Sequence, residues 1–323
     1  MTTHPTLDAI RGVIAEHPDL ETWVGHFEMR VPELAAVERL AGFRPTDRVL
    51  EVGCGNGLAA AYFAPSIASL VATDLPEEDP SAHSIGLERA VELMEMLGLS
   101  NVTVEGASAL DLPFPDESFD AAYSLYVLEH VPDRHRALQE TRRVLKPGGR
   151  MIATVPASAH NVVYPIHFYV DIMGRLLRRI GEKLRRRRVT SGGPQAPGEP
   201  STPAAPTHRI HNWRTFREAY PQFPLPKPHG EYANFLEEWS RQRPSRWVES
   251  LREAEFTNIE IFPLTVLPRG LFYTFGGRLG LSFFEFALSP IDRRIAKRRW
   301  AVPFAQYLCL VATKGDGDRG GPE

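Results

Sequence analysis

The chain has 323 residues, 43% of them hydrophobic and 24% charged, which is an ordinary composition for a soluble globular protein. Its formal net charge of −3 argues against an overall affinity for nucleic acid, so we expect no nucleic-acid partner. The two cysteines lack the C-x-x-C spacing of a zinc site and are too few for a disulfide framework, so we predict a cytoplasmic protein without a bound metal.

The first 156 residues divide into a helical segment and an alternating one. Residues 1–44 carry apolar positions at helical spacing with breaks at Pro18 and Pro32, which predicts an N-terminal cap of two or three short helices. Residues 45–156 then alternate short apolar runs with helical patterns. We predict strands at 48–52, 69–73, 101–105, 119–124 and 150–155, helices at about 57–64, 85–97 and 133–144, and a turn at "KPGG". This order predicts a doubly wound α/β core with a mostly parallel sheet.

Two insertions interrupt the second half of the chain. Residues 157–188 form the first, in which 171–188 combine eight Arg or Lys with apolar side chains at four-residue spacing and predict a basic amphipathic helix. The Pro- and Gly-rich stretch 189–207 predicts a flexible linker. The second insertion, at about 268–303, is rich in aromatic side chains and then in cations.

The remaining segments complete the sheet within residues 208–323. We predict helices at 209–220 and 244–256, and strands at 257–266 and 305–314. With these two strands as a final antiparallel hairpin, the sheet has seven strands.

The stretch "VLEVGCGNG", Val49 to Gly57, leads from a strand into a loop with glycine at every second position. Backbone N–H groups at a helix N-terminus can approach a ligand there because no Cβ intervenes. The next strand ends in Asp74, which can accept hydrogen bonds from the hydroxyls of a ribose. The glycine spacing is not that of a dinucleotide site, and Glu51 beside the loop would repel a pyrophosphate. The pattern therefore indicates a nucleoside ligand that carries a positive charge.

In these motifs the chain resembles the class I S-adenosylmethionine-dependent methyltransferases, in the branch that acts on small molecules, quinones and lipids. "VLEVGCGNG" is similar to the first motif of that family, and "GASALDLPFPDESFDAAYSLYVLEHVPD" and "RRVLKPGGRMIATVP" are similar to its later motifs. The resemblance covers about residues 45–156 and implies a Rossmann-like methyltransferase fold with S-adenosylmethionine as cofactor.

The resemblance also implies a set of cofactor-binding residues. Ser108 stands where the family usually has an Asp facing the adenine amino group, so that contact lacks charge assistance, and Asp111 is the alternative. The end of the fourth strand, from Tyr123, should border the sulfonium. The full set is Glu51, Gly53, Gly55, Asn56, Asp74, Leu75, Ser108, Ala109, Ser124 and Leu125.

Two histidines are candidates for a general base. His130 follows the fourth strand and His160 the fifth, so both should lie at the ligand-facing edge of the sheet. A structural or cofactor-contacting role is the alternative for His130, and a surface or helix-capping role is the alternative for His160. His208 and His211 are further candidates with the same alternative.

From these features we expect O-methylation of an apolar or lipid-linked small molecule. The alternatives are N- or C-methylation of a small metabolite, and an inactive partner protein that binds the cofactor. Segments 171–188 and 268–303 suit peripheral contact with the inner membrane face. A solvated helix is the alternative for the first, and a lid or a dimer surface for the second. Trp23, His26 and Phe27 fit either a lid over the cofactor or an ordinary packed helix.

Overall fold

The computed structural model describes residues 5–17, 21–76, 87–163, 169, 173–174, 228, 232–267 and 283–316. Most of the predicted basic helix at 171–188, the linker at 189–207, the helix at 209–220 with His208 and His211, and the first part of the second insertion lie outside these residues. Domain boundaries that depend on them therefore stay predictions.

A single seven-stranded sheet with the order β3-β2-β1-β4-β5-β7-β6 organises the described chain. The first five strands pair in parallel, and β7 is antiparallel to both β5 and β6. This topology confirms the predicted doubly wound α/β fold and its antiparallel final hairpin. The strands are β1 Arg48–Val52, β2 Ser69–Asp74, β3 Val102–Gly106, β4 Phe119–Leu125, β5 Leu145–Pro156, β6 Phe256–Thr265 and β7 Tyr307–Lys314.

Helices cover both faces of the sheet, because the buried side chains form two clusters that share the strands. The cluster on one face includes Ile10, Phe63 and Met94, and that on the other includes Leu138 and Trp247. Among the described residues, no helix is both long and apolar enough to cross a bilayer. The helices are α1 Pro5–Glu16, α2 Glu21–Ala41, α3 Leu58–Phe63, α4 Leu87–Met96, α5 Arg134–Val144, α6 Phe235–Arg241, α7 Pro244–Glu253 and α8 Ser289–Ala296.

The sequence-based prediction was wrong at three places in the fold. Pro32 does not break the N-terminal segment, because α2 continues through it. "KPGG" is not a turn before β5 but part of that strand, which begins at Leu145, and the pairing with β4 jumps from Leu145 to Arg150. Finally, α6 was not predicted at all.

The strand order reverses between β1 and β4, which are neighbours at the centre of the sheet. Ligands of open α/β sheets bind at such a reversal, outside the carboxyl ends of the strands. The topology therefore directs attention to the loops that follow β1, β2 and β4.

Candidate functional site

The glycine loop after β1 is folded back against the end of β2. The N–H groups of Gly53 and Cys54 both donate to the carbonyl oxygen of Thr73, at 2.7 and 2.8 Å. Gly53 has a φ of 81° and Gly55 a φ of 51°, values that L side chains rarely adopt. The loop thus brings bare backbone to the crevice at the start of α3.

Gly53 is held there by contact as well as by conformation. A Cβ at this position would lie 2.3 Å from Cγ2 of Val127, in the turn that follows β4. No such contact exists at Gly55, where a Cβ would meet no atom within 4 Å. The first glycine therefore lets the two loops pack together, and the second faces open space in which a ligand can lie.

Asp74, at the end of β2, fastens the loop. One carboxylate oxygen accepts the N–H of Gly55 at 2.6 Å, and the other accepts the N–H of Leu75 at 2.8 Å. Each carboxylate oxygen has a second lone pair, so both remain able to accept a ribose hydroxyl. Asp74 is suited to hold a nucleoside and to shape the loop around it.

Glu51, near the end of β1, is buried with an unsatisfied carboxyl group. Its side chain is 1% exposed, and its Oε2 atom makes no hydrogen bond among the described residues. Burial raises the pKa of Glu51 to about 8; the hydroxyl of Tyr123, its neighbour on β4, opposes the rise, and the charge of Asp74 adds to it. A buried carboxyl without a partner is costly. The ammonium group of S-adenosylmethionine would offset that cost, so the residues present fit this cofactor.

The adjoining ends of β4 and β5 carry further unsatisfied polar atoms. The hydroxyls of Tyr123, Ser124 and Thr154 are buried and make no hydrogen bond within the described part of the chain. Leu125, predicted to border the sulfonium, lies beside Thr154 in the register of the two strands. These atoms offer hydrogen bonds to a ligand that bridges the two strand ends.

The segment after β3 adjoins Asp74 on the side predicted for adenine. The N–H of Ala107 donates to the backbone carbonyl of Asp74 at 2.8 Å, which places Ser108 and Ala109 next to the ribose position. The Ser108 hydroxyl accepts the N–H of Leu110 at 3.2 Å, and Asp111 is exposed. Ser108 is thus already partly used in shaping its own loop.

Asn56 has a local role in addition to the one predicted for it. Its Oδ1 atom accepts the N–H of Leu58 at 3.2 Å, at the first residue of α3. This bond satisfies one of the free donors at the start of that helix. Cofactor contact by Asn56 therefore stays a prediction.

The two candidate bases occupy different environments. His130 is exposed in the turn after β4, where its N–H donates to the carbonyl of Val127 at 2.8 Å. His160 is buried, with its ring centre 5.0 Å from that of Tyr307, and Tyr307 in turn packs on Tyr126. Neither placement tests the predicted role as a base.

Sequence reasoning missed a group of polar residues around Tyr126. This residue has a φ of 62°. Its hydroxyl donates to Glu33 of α2 at 2.5 Å, and the guanidinium of Arg30 lies 3.9 Å from the centre of its ring. Helix α2 is thereby fixed to the turn after β4, as expected for a cap. The side chains of Trp23, His26 and Phe27, predicted as a lid, are outside the described part of α2.

The same turn contains Glu129, which the sequence analysis passed over. Its carboxylate is buried although it lies between the two candidate histidines in sequence. The sequence signal was present, because an acid interrupts an otherwise apolar run in "LYVLEHV".

Comparison with known proteins agrees with this arrangement. Residues 50–153 match a family model described as a methyltransferase domain. A 27-O-demethylrifamycin SV methyltransferase from Amycolatopsis mediterranei is 38% identical over 35% of this chain and 41% of its own length. A ubiquinone/menaquinone biosynthesis C-methyltransferase from Teredinibacter turnerae is 32% identical over 45% of this chain and 60% of its own.

These matches cover parts of both partners. The chain spans from 41% to 60% of the length of these two curated relatives. Among solved structures, the [4+2]-cyclase SpnF is 19% identical with a TM-score of 0.49, and the match covers 88% of this chain and 80% of that one. Because that likeness is low, the strand order described above carries the assignment of the fold.

Proposed function

Residues 50–153 belong to the class I S-adenosylmethionine-dependent methyltransferases, and on that premise we propose that this protein methylates an oxygen atom of a small acceptor. The observation that carries the proposal is the buried, unsatisfied carboxyl of Glu51 beside the glycine loop. A structural acid would have protein partners for both oxygens. An acid reserved for a cationic ligand needs none until the ligand binds.

The chain's own residues would hold and align the cofactor. Glu51 and the N–H groups of the glycine loop would bind its amino-acid end, and Asp74 its ribose. When bound, the cofactor supplies a methyl group on a sulfonium, which leaves as a neutral thioether. Because the leaving group is neutral, alignment and exclusion of water supply much of the rate.

For the acceptor we propose an apolar or lipid-linked hydroxyl compound. One relative is named as an O-methyltransferase by its product position, and another is named as a quinone C-methyltransferase. The second name keeps C-methylation as an alternative, N-methylation of a small metabolite is another, and an inactive cofactor-binding partner is the third. Cytoplasmic location stays a prediction.

The experiment is a paired measurement of cofactor binding and of turnover. We expect calorimetry to show binding of S-adenosylmethionine, and an assay for S-adenosylhomocysteine to show turnover with a pool of phenolic, quinone or lipid acceptors. Asp74→Ala should weaken binding about 100-fold, because the loop loses two hydrogen bonds and the ribose loses its acceptor.

The control is Asp116→Ala, which removes an exposed acid paired with Arg143 and should leave binding unchanged. Absence of cofactor binding in the natural protein, or equal binding by Asp74→Ala, would contradict the proposal. Binding without turnover on every pool would favour the inactive partner.

We further propose that the described part of the second insertion contacts an anionic membrane. In this segment Phe286 is 88% exposed and Trp300 62% exposed. The acid Asp292 is buried and accepts the N–H groups of Val266 and Leu267, so its charge is turned inward. The exposed cations of the segment are Arg293, Arg294, Lys297, Arg298 and Arg299. Exposed aromatic side chains among cations are typical of an interfacial element.

Flotation with phosphatidylserine-rich vesicles tests this surface. We expect Arg298→Glu/Arg299→Glu to reduce the floating fraction at least about tenfold, since each cation near anionic lipid contributes about 1 kcal/mol. Arg11→Glu/Arg89→Glu makes the same change of charge on α1 and α4 and should float like the natural protein. Equal flotation of both double variants would contradict membrane contact. A shift to a monomer in gel filtration, seen only with the first variant, would instead indicate a dimer surface.

A further inference from the structure

Glu129 is a buried acid that the fold does not use. Its side chain is 2% exposed, and neither carboxylate oxygen makes a hydrogen bond among the described residues. Buried acids are almost always paired or hydrogen-bonded, because removing a carboxylate from water is costly. An acid retained without partners is therefore a candidate for ligand binding.

A second buried acid nearby shows what a structural role looks like. Glu238 of α6 accepts the side-chain N–H of Gln242 at 3.1 Å, and Gln242 accepts the side-chain N–H of Asn161 at 3.1 Å. These bonds connect α6 to the chain that follows β5. Glu129 takes part in no such bond within the described residues, so packing of the helices does not account for it.

The electrostatic surroundings of Glu129 favour a ligand that carries a proton to donate. Burial raises the pKa of Glu129 to about 8, its own backbone N–H and the charge of Arg30 oppose the rise, and the charge of Glu238 adds to it. One cation close by is thus not enough to compensate the buried carboxylate. A hydrogen-bond donor from outside the protein would.

Glu129 also lines a cleft. A cavity of about 690 Å³ lies between the turn and N-terminus of α5 on one side and helices α6 and α7 on the other. This volume is in the range of small-molecule sites. The lining includes Leu128, Glu129, Val131, Pro132, Asp133, Arg134, His135, Tyr232, Glu237, Ser240, Arg241, Arg246, Glu249, Ser250 and Glu253.

The turn that carries Glu129 also contacts the glycine loop. Val127, two residues earlier, is so close to Gly53 that no Cβ fits between them. Leu128 and Glu129, by contrast, line the cleft. A ligand in the cleft and a cofactor on the glycine loop would therefore touch the same short turn.

We propose that this cleft receives the polar head of the acceptor, and that the carboxylate of Glu129 binds a hydroxyl or protonated amine on it. The proposal rests on the methyl transfer proposed above and names the acceptor chemistry. For a hydroxyl acceptor, the new C–O bond forms as the S–C bond of the cofactor breaks, and the hydroxyl proton passes to the carboxylate. The acceptor thus combines a donor group at the cleft with whatever apolar part the rest of the molecule accommodates.

Binding of small probes to the full chain, followed by NMR with saturating S-adenosylmethionine, tests the proposal. The probes are phenol and benzylamine, which carry a donor, and anisole, in which the donor is blocked by a methyl group. We expect phenol or benzylamine to bind in the cleft and anisole to bind at least about tenfold more weakly. Glu129→Gln should remove most of that difference, and Glu129→Asp should retain part of it.

A matched control is Glu249→Gln, because Glu249 lines the same cleft but is exposed and paired with Arg246 at 2.6 Å. It should bind the probes like the natural protein. Equal discrimination by Glu129→Gln and the natural protein, or probe signals confined to residues outside the cleft, would overturn the proposal. Retained cofactor affinity in Glu129→Gln shows that the fold and the proposed methyl transfer site are intact, so the two proposals fail independently.

Discussion

Replacing Gly53 with alanine should weaken cofactor binding by about 100-fold or more. The new Cβ would lie 2.3 Å from Cγ2 and 2.7 Å from Cγ1 of Val127, at a backbone φ of 81°. Either the glycine loop or the turn after β4 must then move, and both border the crevice. A displacement of about 1 Å in such a site is enough for a loss of that size. Calorimetric titration with S-adenosylmethionine measures it.

The control separates this contact from the backbone strain alone. Gly98 has a φ of 65°, and a Cβ there would meet nothing within 4 Å. Gly98→Ala should therefore cost about 1 to 2 kcal/mol of stability and leave cofactor affinity unchanged. Adding Val127→Ala to Gly53→Ala should restore part of the affinity. If Gly53→Ala binds the cofactor like the natural protein, the packing of the two loops is not required for the site.

The central sheet was predictable because its signals are local. Strands buried on both faces are short apolar runs, and each is separated from the next by a helix with its own periodicity. Glu51 and Asp74 could be named in advance because each ends a strand beside a recognisable loop, and the structure places Asp74 against the Gly55 N–H as that pattern requires. The predicted contacts with cofactor themselves stay predictions.

The errors arose where distant contacts decide local structure. Proline usually ends a helix, but α2 continues past Pro32 because its later turns are anchored by burial of Leu34 and Val37 and by the bond between Glu33 and Tyr126. Likewise, β5 begins at Leu145 because pairing with Phe119 of β4 precedes the glycines. Neither partner is near in sequence, so no pattern within the segment reveals it.

Glu129 escaped notice for a related reason. In the sequence it is one acid between apolar residues, next to a histidine that offers a more familiar chemistry. Its burial and its lack of hydrogen-bond partners among the described residues become visible only when α2, α6 and the turn after β4 are brought together. The candidate site is therefore larger than its motif, with a cofactor side read from sequence and an acceptor side read from packing.

The second large effect is expected at Glu51, as a loss of affinity coupled to a proton. With a pKa of about 8, Glu51 is mostly protonated near neutral pH in the protein alone. The α-amino group of the cofactor is mostly charged there, and pairing with it requires the ionised carboxylate. Binding should thus release about one proton per cofactor near pH 7, and affinity should rise as the pH approaches 8 from below. Calorimetry in buffers of different ionisation enthalpy measures the proton.

Glu51→Gln should abolish this proton release and weaken binding about 100-fold to 1,000-fold, because the ammonium group would be buried without its counter-charge. Stability gives an independent check. A carboxyl whose pKa rises from 4.5 to about 8 on folding binds more protons in the folded state, so stability without cofactor falls as pH rises through that range. Part of that fall should disappear in Glu51→Gln, and part should remain because the pKa of Glu129 is raised in the same direction. A variant that still releases a proton on binding would show that the cofactor's charge is met elsewhere.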